Sequence, residues 1–269
     1  MSERVEGLRS TLVGEGEGPV VVFLHGLFGR GRNFSSTAKA LQPELRALLV
    51  DLPNHGASPW REAVDYADMA DAVAEHLRQG VASDGPVHVV GHSMGGKTAM
   101  TLALAHPELV DRLVVEDVSP TGTGESSEFE HLLSALAGID LDDVHSLGDA
   151  DEQLSAQVPQ RALRGFLLQN LRAGEDGRLR WQPNLEVLRR DLTVITGDIP
   201  HLGTGAVFDG PVLWVAGGDS DYVTEEAEPQ MRRHFPQTRR VTIKGATHWV
   251  HSQKPKVFAS VLRRFLLPR

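Results

Sequence analysis

Val87-His88-Val89-Val90-Gly91-His92-Ser93-Met94-Gly95-Gly96-Lys97-Thr98-Ala99-Met100 reads as a strand, a tight turn and the start of a helix in one run. Val87 to Val90 is an apolar, β-branched segment of the kind buried inside a sheet. Lys97 to Ala105 carries small and apolar residues at helical spacing. Between them, Gly91-His92-Ser93-Met94-Gly95 matches Gly-x-Ser-x-Gly. Such a turn holds its serine at strained backbone angles with the hydroxyl presented outward. A side chain at position 91 or 95 would crowd the junction of strand and helix, which is why glycine is needed there. The unpaired N–H groups at the helix start then face the serine. Ser93 is therefore the candidate nucleophile.

On either side of this run, short apolar segments alternate with helical patterns. Val20 to Leu24, Leu45 to Leu52, Leu113 to Val115, Val212 to Val215 and Val241 to Ile243 read as further strands, with Leu8 to Val13 as an edge strand. Ser35 to Leu41, Tyr66 to Leu77, Met94 to Ala105 and the stripe Val257, Val261, Leu262, Phe265 read as helices. Near-continuous apolar strands separated by helices predict an α/β domain: a mostly parallel twisted sheet with helices on both faces. The segment 121–205 breaks the alternation. It holds helical stripes at Phe129, Leu132, Leu133, Leu136, then Leu163, Phe166, Leu167, Leu171, then Leu185, Leu188, Leu192, and no core strand. It is too long for a crossover connection. The expected organisation is a core formed by 1–120 and 206–269, with 121–205 inserted as a helical cap.

A reactive serine needs a base, an acid and donors for an oxyanion. The order after a Gly-x-Ser-x-Gly turn is serine, acid, histidine, so the base lies late in the chain. His248, in Gly245-Ala246-Thr247-His248-Trp249, follows the strand Val241 to Ile243 and sits where sites of open α/β sheets lie. One oxyanion donor is the N–H after the nucleophile, Met94; the second, from the loop His25-Gly26-Leu27-Phe28-Gly29 after an earlier strand, is Leu27. The His25 side chain itself is expected to bond the loop backbone. Three carboxylates compete as the acid: Asp117 after the strand Leu113 to Val115, and Asp219 and Asp221 around Ser220 after the strand Val212 to Val215. Phe28, Trp181 and Trp249 are candidates for an apolar substrate pocket.

Several blocks together resemble one family. They are His25-Gly26-Leu27-Phe28-Gly29, Asp51-Leu52-Pro53-Asn54-His55-Gly56-Ala57-Ser58, Ser93 to Met100, Glu116-Asp117-Val118-Ser119-Pro120, and Trp181-Gln182-Pro183-Asn184-Leu185. They are similar to the YbfF-like esterase branch of the α/β-hydrolase fold, which includes the mitochondrial abhydrolase-domain protein eleven. The resemblance implies an acyl-ester hydrolase with a helical cap. It also implies that Asp117 serves the histidine and that Ser220 assists as a hydrogen-bonding fourth member. Asp219 departs from the branch pattern, where asparagine is usual, and offers a second carboxylate near His248. Thioester hydrolysis, C–C bond hydrolysis and cofactor-free perhydrolysis are alternatives on the same groups. A non-catalytic receptor is the remaining one.

Composition narrows the partners. The formal net charge of -9 disfavours nucleic-acid and membrane-surface binding. The basic pairs Arg239-Arg240 and Arg263-Arg264 read as solvated faces. With no cysteine among 269 residues, disulfides, thiolate nucleophiles and cysteine-bound zinc are excluded. Met1-Ser2-Glu3-Arg4 leads into no apolar run, so a cytoplasmic protein without a leader is expected. No dinucleotide or phosphate loop and no metal-ligand spacing occurs, so no cofactor and no metal are expected. Asp51, His55 and Ser58 are expected to shape the rim of the site. The partner expected is a small-molecule ester.

Overall fold

A computed structural model of the chain describes residues 7–122 and 126–267. Met1 to Arg4, read above for a leader, lie outside the described residues. The elements run β1 (Ser10–Val13), β2 (Val20–Leu24), α1 (Ser35–Ala40), β3 (Arg46–Val50), α2 (Tyr66–Arg78), β4 (Val87–His92), α3 (Met94–Ala105) and β5 (Val110–Glu116). Next come α4 (Ser127–Ala137), α5 (Leu147–Ser155), α6 (Arg161–Leu168), β6 (Leu171–Ala173), β7 (Leu179–Trp181), α7 (Leu185–Arg190) and α8 (Leu192–Thr196). The chain then returns with β8 (Val212–Gly217), α9 (Glu228–His234), β9 (Thr238–Ile243), α10 (Val250–Gln253) and α11 (Pro255–Leu266).

Among the described residues, seven strands form one sheet in the order β1-β3-β2-β4-β5-β8-β9. Only the edge strand β1 is antiparallel, with Ser10 opposite Val50; the other pairings are parallel. Successive residues of a strand face opposite sides, and the two cores follow that alternation. Val22 and Leu24 of β2 join the larger cluster with Met69, Val73, Met100 and Trp214. Val21 and Phe23 join the smaller one with Phe34, Ala38, Phe258 and Leu262. Helices α2 and α3 thus cover one face, and α1 and α11 the other.

Two strands extend beyond their apolar cores. β5 begins at Val110 and β9 at Thr238, because Asp111, Arg112, Arg239 and Arg240 continue the extended backbone with partly or fully exposed side chains. Periodicity of apolar residues does not register such ends. The segment between β5 and β8 supplies helices, but Leu171 does not continue the stripe of α6. It opens β6, which pairs antiparallel with β7, Leu171 opposite Trp181. The turn Gly174-Glu175-Asp176-Gly177 closes this ribbon, with Gly177 at φ 78°.

This inserted block lies over the loops at the carboxyl ends of the strands. Asn170 Nδ2 donates to the Phe28 carbonyl at 2.7 Å, and the Asn184 N–H donates to the Asn54 carbonyl at 3.0 Å. Tyr66 Oη donates to the Ile195 carbonyl at 2.7 Å. Lys97 Nζ, buried in α3, donates to the Thr196 and Gly197 carbonyls at the end of α8. Among the described residues no helix is long and apolar enough to cross a membrane.

Candidate active site

Ser93 stands at the end of β4 as the residue that starts α3, at φ 52° and ψ -120°. An L-residue adopts a positive φ only at a cost, so the surrounding structure must over-determine it. It does so by close packing. A Cβ on Gly91 would lie 2.2 Å from the Gly95 carbonyl oxygen, and one on Gly95 would lie 2.2 Å from that of Leu24. The Ser93 N–H donates to the Glu116 carbonyl at 3.1 Å, and the Lys97 N–H donates to the Ser93 carbonyl at 3.0 Å. Met94 opens the helix, so its N–H is one of those without a helical acceptor. The loop of Leu27 lies directly against the serine: a Cβ on Gly26 would be 3.1 Å from Ser93 Cβ. Phe28 follows at φ 62°.

Asp117 follows β5 at φ 51° and is wholly buried. Its Oδ1 accepts the Gly217 N–H at 2.7 Å. Its Oδ2 accepts Ser220 Oγ–H at 2.5 Å and His248 Nδ1–H at 2.9 Å. An N–H and two further donors on one carboxylate match the ionised form. With Nδ1 donating to Asp117, Nε2 is the acceptor nitrogen of a neutral His248. His92, adjacent to Ser93 in the chain, meets the His248 ring at a centroid distance of 4.7 Å, which brings the loop of His248 against the turn of Ser93.

Asp219 and Asp221 are exposed. The N–H of Asp219 donates to the Ala246 carbonyl at 2.9 Å, and Asp221 lines a surface groove beside Ser119 and Thr224. The buried carboxylate on His248 is that of Asp117. Ser220 reaches the same oxygen from β8, so the two strand ends that competed as sources of the acid converge on one residue.

His25 Nδ1 donates to the Gly26 carbonyl at 2.9 Å, and its Nε2 accepts the Leu52 N–H at 3.0 Å. Burial lowers its pKa to about 4, which matches a neutral ring holding the loop together. His55 Nδ1 donates to the Pro53 carbonyl, and burial lowers its pKa to about 3. Asp51 accepts the N–H groups of Gly31 at 2.8 Å and Ala57 at 3.0 Å, and Ser58 Oγ donates to the Asp51 carbonyl at 2.6 Å. These residues tie two loops together beside the site.

The aromatic candidates separate. Trp249 packs on His248 at 5.7 Å and on Phe166 of α6 at 6.3 Å, and lines a small cavity with Leu27 and His92. Phe28 is buried, 6.4 Å from the ring of Phe129 in α4. Trp181 sits on β7 and packs against the larger core. Sequence reading missed Tyr222, whose ring stacks on His248 at 4.0 Å and 25°. An aromatic two residues after Ser220 was the available signal. It also missed His92, Glu116 and His251, whose candidate ligand atoms all lie within 4.8 Å of one another. Each comes from a different loop or strand end, so no spacing rule could gather them. Two of their nitrogens are already engaged in hydrogen bonds: His92 Nε2–H donates to the His248 carbonyl at 2.8 Å, and within the group His251 Nδ1–H donates to Glu116 Oε1 at 2.8 Å.

A family model described as the alpha/beta hydrolase fold matches residues 19–255. The chain belongs to this family. A mouse protein named sn-1-specific diacylglycerol lipase ABHD11 is 41% identical over 262 residues, 95% of this chain and 83% of that one. The Escherichia coli K12 esterase YbfF is 30% identical over 248 residues, 91% of this chain and 92% of that one. Among solved structures, a marine microorganism esterase superimposes with a TM-score of 0.91 at 34% identity, covering 97% of this chain and 99% of that one. The resemblance noted in the sequence is therefore to relatives that extend along nearly the whole hydrolase chain, inserted block included.

Proposed function

We propose that this chain hydrolyses carboxylic esters of small or medium acyl groups through an acyl-enzyme on Ser93. The observation that carries the reading is the His248–Asp117 bond of 2.9 Å in the same site as a serine held at φ 52°. Ser93 Oγ attacks the ester carbonyl as His248 Nε2 takes its proton. Asp117 holds the imidazole in the required tautomer and stabilises the imidazolium, and Ser220 orients the carboxylate by donating to the same oxygen, Oδ2, that His248 uses. The N–H groups of Leu27 and Met94 receive the developing oxyanion. The alcohol leaves with the proton from His248, and water, activated by the same ring, releases the acid.

Residues 121–205 act as a cap that excludes water and bounds the acyl pocket. Trp249 with Phe166 forms its wall beside the histidine, and Phe28 and Trp181 are the further candidates to line it. Esterase and lipase relatives support an ester over a thioester or a C–C bond as the substrate.

The test is direct. A fluorophosphonate probe should label the wild type and fail to label Ser93→Ala. Ser93→Ala should lose on the order of 10³-fold or more in p-nitrophenyl ester hydrolysis. Activity within tenfold of wild type, or labelling elsewhere, would end the assignment.

A further inference from the structure

Asp117 is not the only buried carboxylate at the end of β5. Glu116, its immediate neighbour, is also wholly buried and pairs with a second histidine. Its Oε1 accepts both the N–H of His251 at 2.7 Å and His251 Nδ1–H at 2.8 Å. The pairs Asp117–His248 and Glu116–His251 therefore run side by side, two consecutive carboxylates holding two histidines three residues apart. Glu116 is tied to the nucleophile as well, since its carbonyl accepts the Ser93 N–H at 3.1 Å. His92 closes the frame from the elbow. Its Nε2–H donates to the His248 carbonyl at 2.8 Å, and its ring meets those of His248 and His251 at 4.7 and 4.9 Å.

A carbonyl accepts only from a protonated nitrogen, so this bond fixes the His92 proton on Nε2. Burial first, then the neighbouring His248 and His251, pushes the His92 pKa well down, consistent with one fixed neutral tautomer. A buried carboxylate is costly unless satisfied, and Oε2 of Glu116 finds no partner among the described residues, so His251 at Oε1 meets only part of that cost. Here it is retained where a loop carrying the base crosses the turn carrying the nucleophile. The short helix α10, Val250–Gln253, is too short to fix that loop by its own hydrogen bonds.

We propose that Glu116, with His251 and His92, forms a second carboxylate–imidazole frame that positions His248 over Ser93. These three are positioning residues: they touch the base's backbone and loop, not the substrate. The proposal rests on the Ser93–His248–Asp117 reading and deepens it.

Two variants at one site separate the hydrogen bonds from the charge. Glu116→Gln keeps an oxygen for both His251 donors, whereas Glu116→Leu keeps the volume and removes the acceptor. With wild type and Ser93→Ala as references, kcat for ester hydrolysis should fall about tenfold to a hundredfold in Glu116→Leu, the range expected when a reacting group is displaced slightly. KM should stay within about threefold, because the pocket walls are untouched. Glu116→Gln should restore kcat to within about threefold of wild type. The downfield proton NMR signal of the His248–Asp117 bond should broaden in Glu116→Leu and sharpen again in Glu116→Gln. Where Glu116→Leu does not fold, His92→Phe carries the kcat and NMR measurements, as it removes the donor at the His248 carbonyl; KM is not compared there, because His92 lines the cavity beside Trp249.

A folded Glu116→Leu or His92→Phe with kcat within about threefold of wild type and an unchanged downfield signal would overturn the frame and leave the triad reading intact. A wild type that neither hydrolyses esters nor labels would overturn the triad reading instead. In that case the NMR signal alone still decides whether Glu116 holds the histidine.

Discussion

Replacing Asp117 by asparagine is the sharpest perturbation of this site. The side chain is wholly buried and accepts from Gly217, Ser220 and His248. Asparagine keeps an oxygen for the Gly217 N–H but turns an amide nitrogen toward His248 Nδ1. Two donors then face each other, and the ring is driven to the tautomer whose Nε2 carries the proton and cannot accept one from Ser93. The stabilisation of the imidazolium is lost too. With Nδ1 and Oδ2 2.9 Å apart, the charge centres lie roughly 4 Å apart. At an effective dielectric constant of about 20 their attraction is about 4 kcal/mol, or roughly three decades in rate. The expected loss in kcat/KM is therefore on the order of 10³-fold, with the tautomer effect adding to it. The paired control is Asp219→Asn. Asp219 is exposed and is held by its backbone, so its loss should change kcat/KM by less than about threefold. Both variants are assayed on one p-nitrophenyl ester after denaturant titration shows them folded. If Asp219→Asn is crippled while Asp117→Asn keeps a tenth or more of wild-type activity, the assignment of the acid is wrong.

Three further predictions follow from packing and burial. Gly95→Ala places a methyl group 2.2 Å from the Leu24 carbonyl oxygen, so denaturant unfolding should register a loss of roughly 3 kcal/mol or outright misfolding; a variant within about 0.5 kcal/mol of wild type would contradict the packing of the elbow. His25 and His55, with pKa values lowered to about 4 and about 3 by burial, stay neutral in the folded chain while the unfolded chain protonates below about 6.5. Their stabilisation is complete above that pH and is lost as the pH falls, roughly 2 kcal/mol each between pH 6.5 and 5; an unfolding free energy unchanged across that window would refute the neutral pair. Lys97, lowered by burial to about 8, sheds its proton in the folded chain before the unfolded chain does. Stability should therefore rise by up to roughly 2 kcal/mol from pH 8 to pH 10, and Lys97→Met should flatten that rise; a rise of the same size in the variant would assign it to other groups.

The alternation of apolar strands with helices, the elbow and the late histidine were legible because each rests on local chemistry. A β-branched run, two glycines around a serine and an apolar stripe can be read without knowing what packs against them. Polar strand ends such as Arg239-Arg240 were not legible, since only pairing with β8 extends them. The β6–β7 ribbon was hidden for a related reason: Leu171 fits a helical stripe as well as a strand, and its pairing with Trp181 decides between them.

The sequence by itself determined the architecture and the candidate serine and histidine, because steric demands at Gly91 and Gly95 and the order of strands are properties of the chain taken segment by segment. Read residue by residue it left three carboxylates open as the acid, with the family resemblance favouring Asp117, and it did not single out Tyr222, His92 or the Glu116–His251 pair. Only the tertiary structure puts one of them, Asp117, against the imidazole. Which carboxylate meets an imidazole depends on burial and on where β5, β8 and the loop after β9 end in space, and those distances are set by packing between segments up to 135 positions apart.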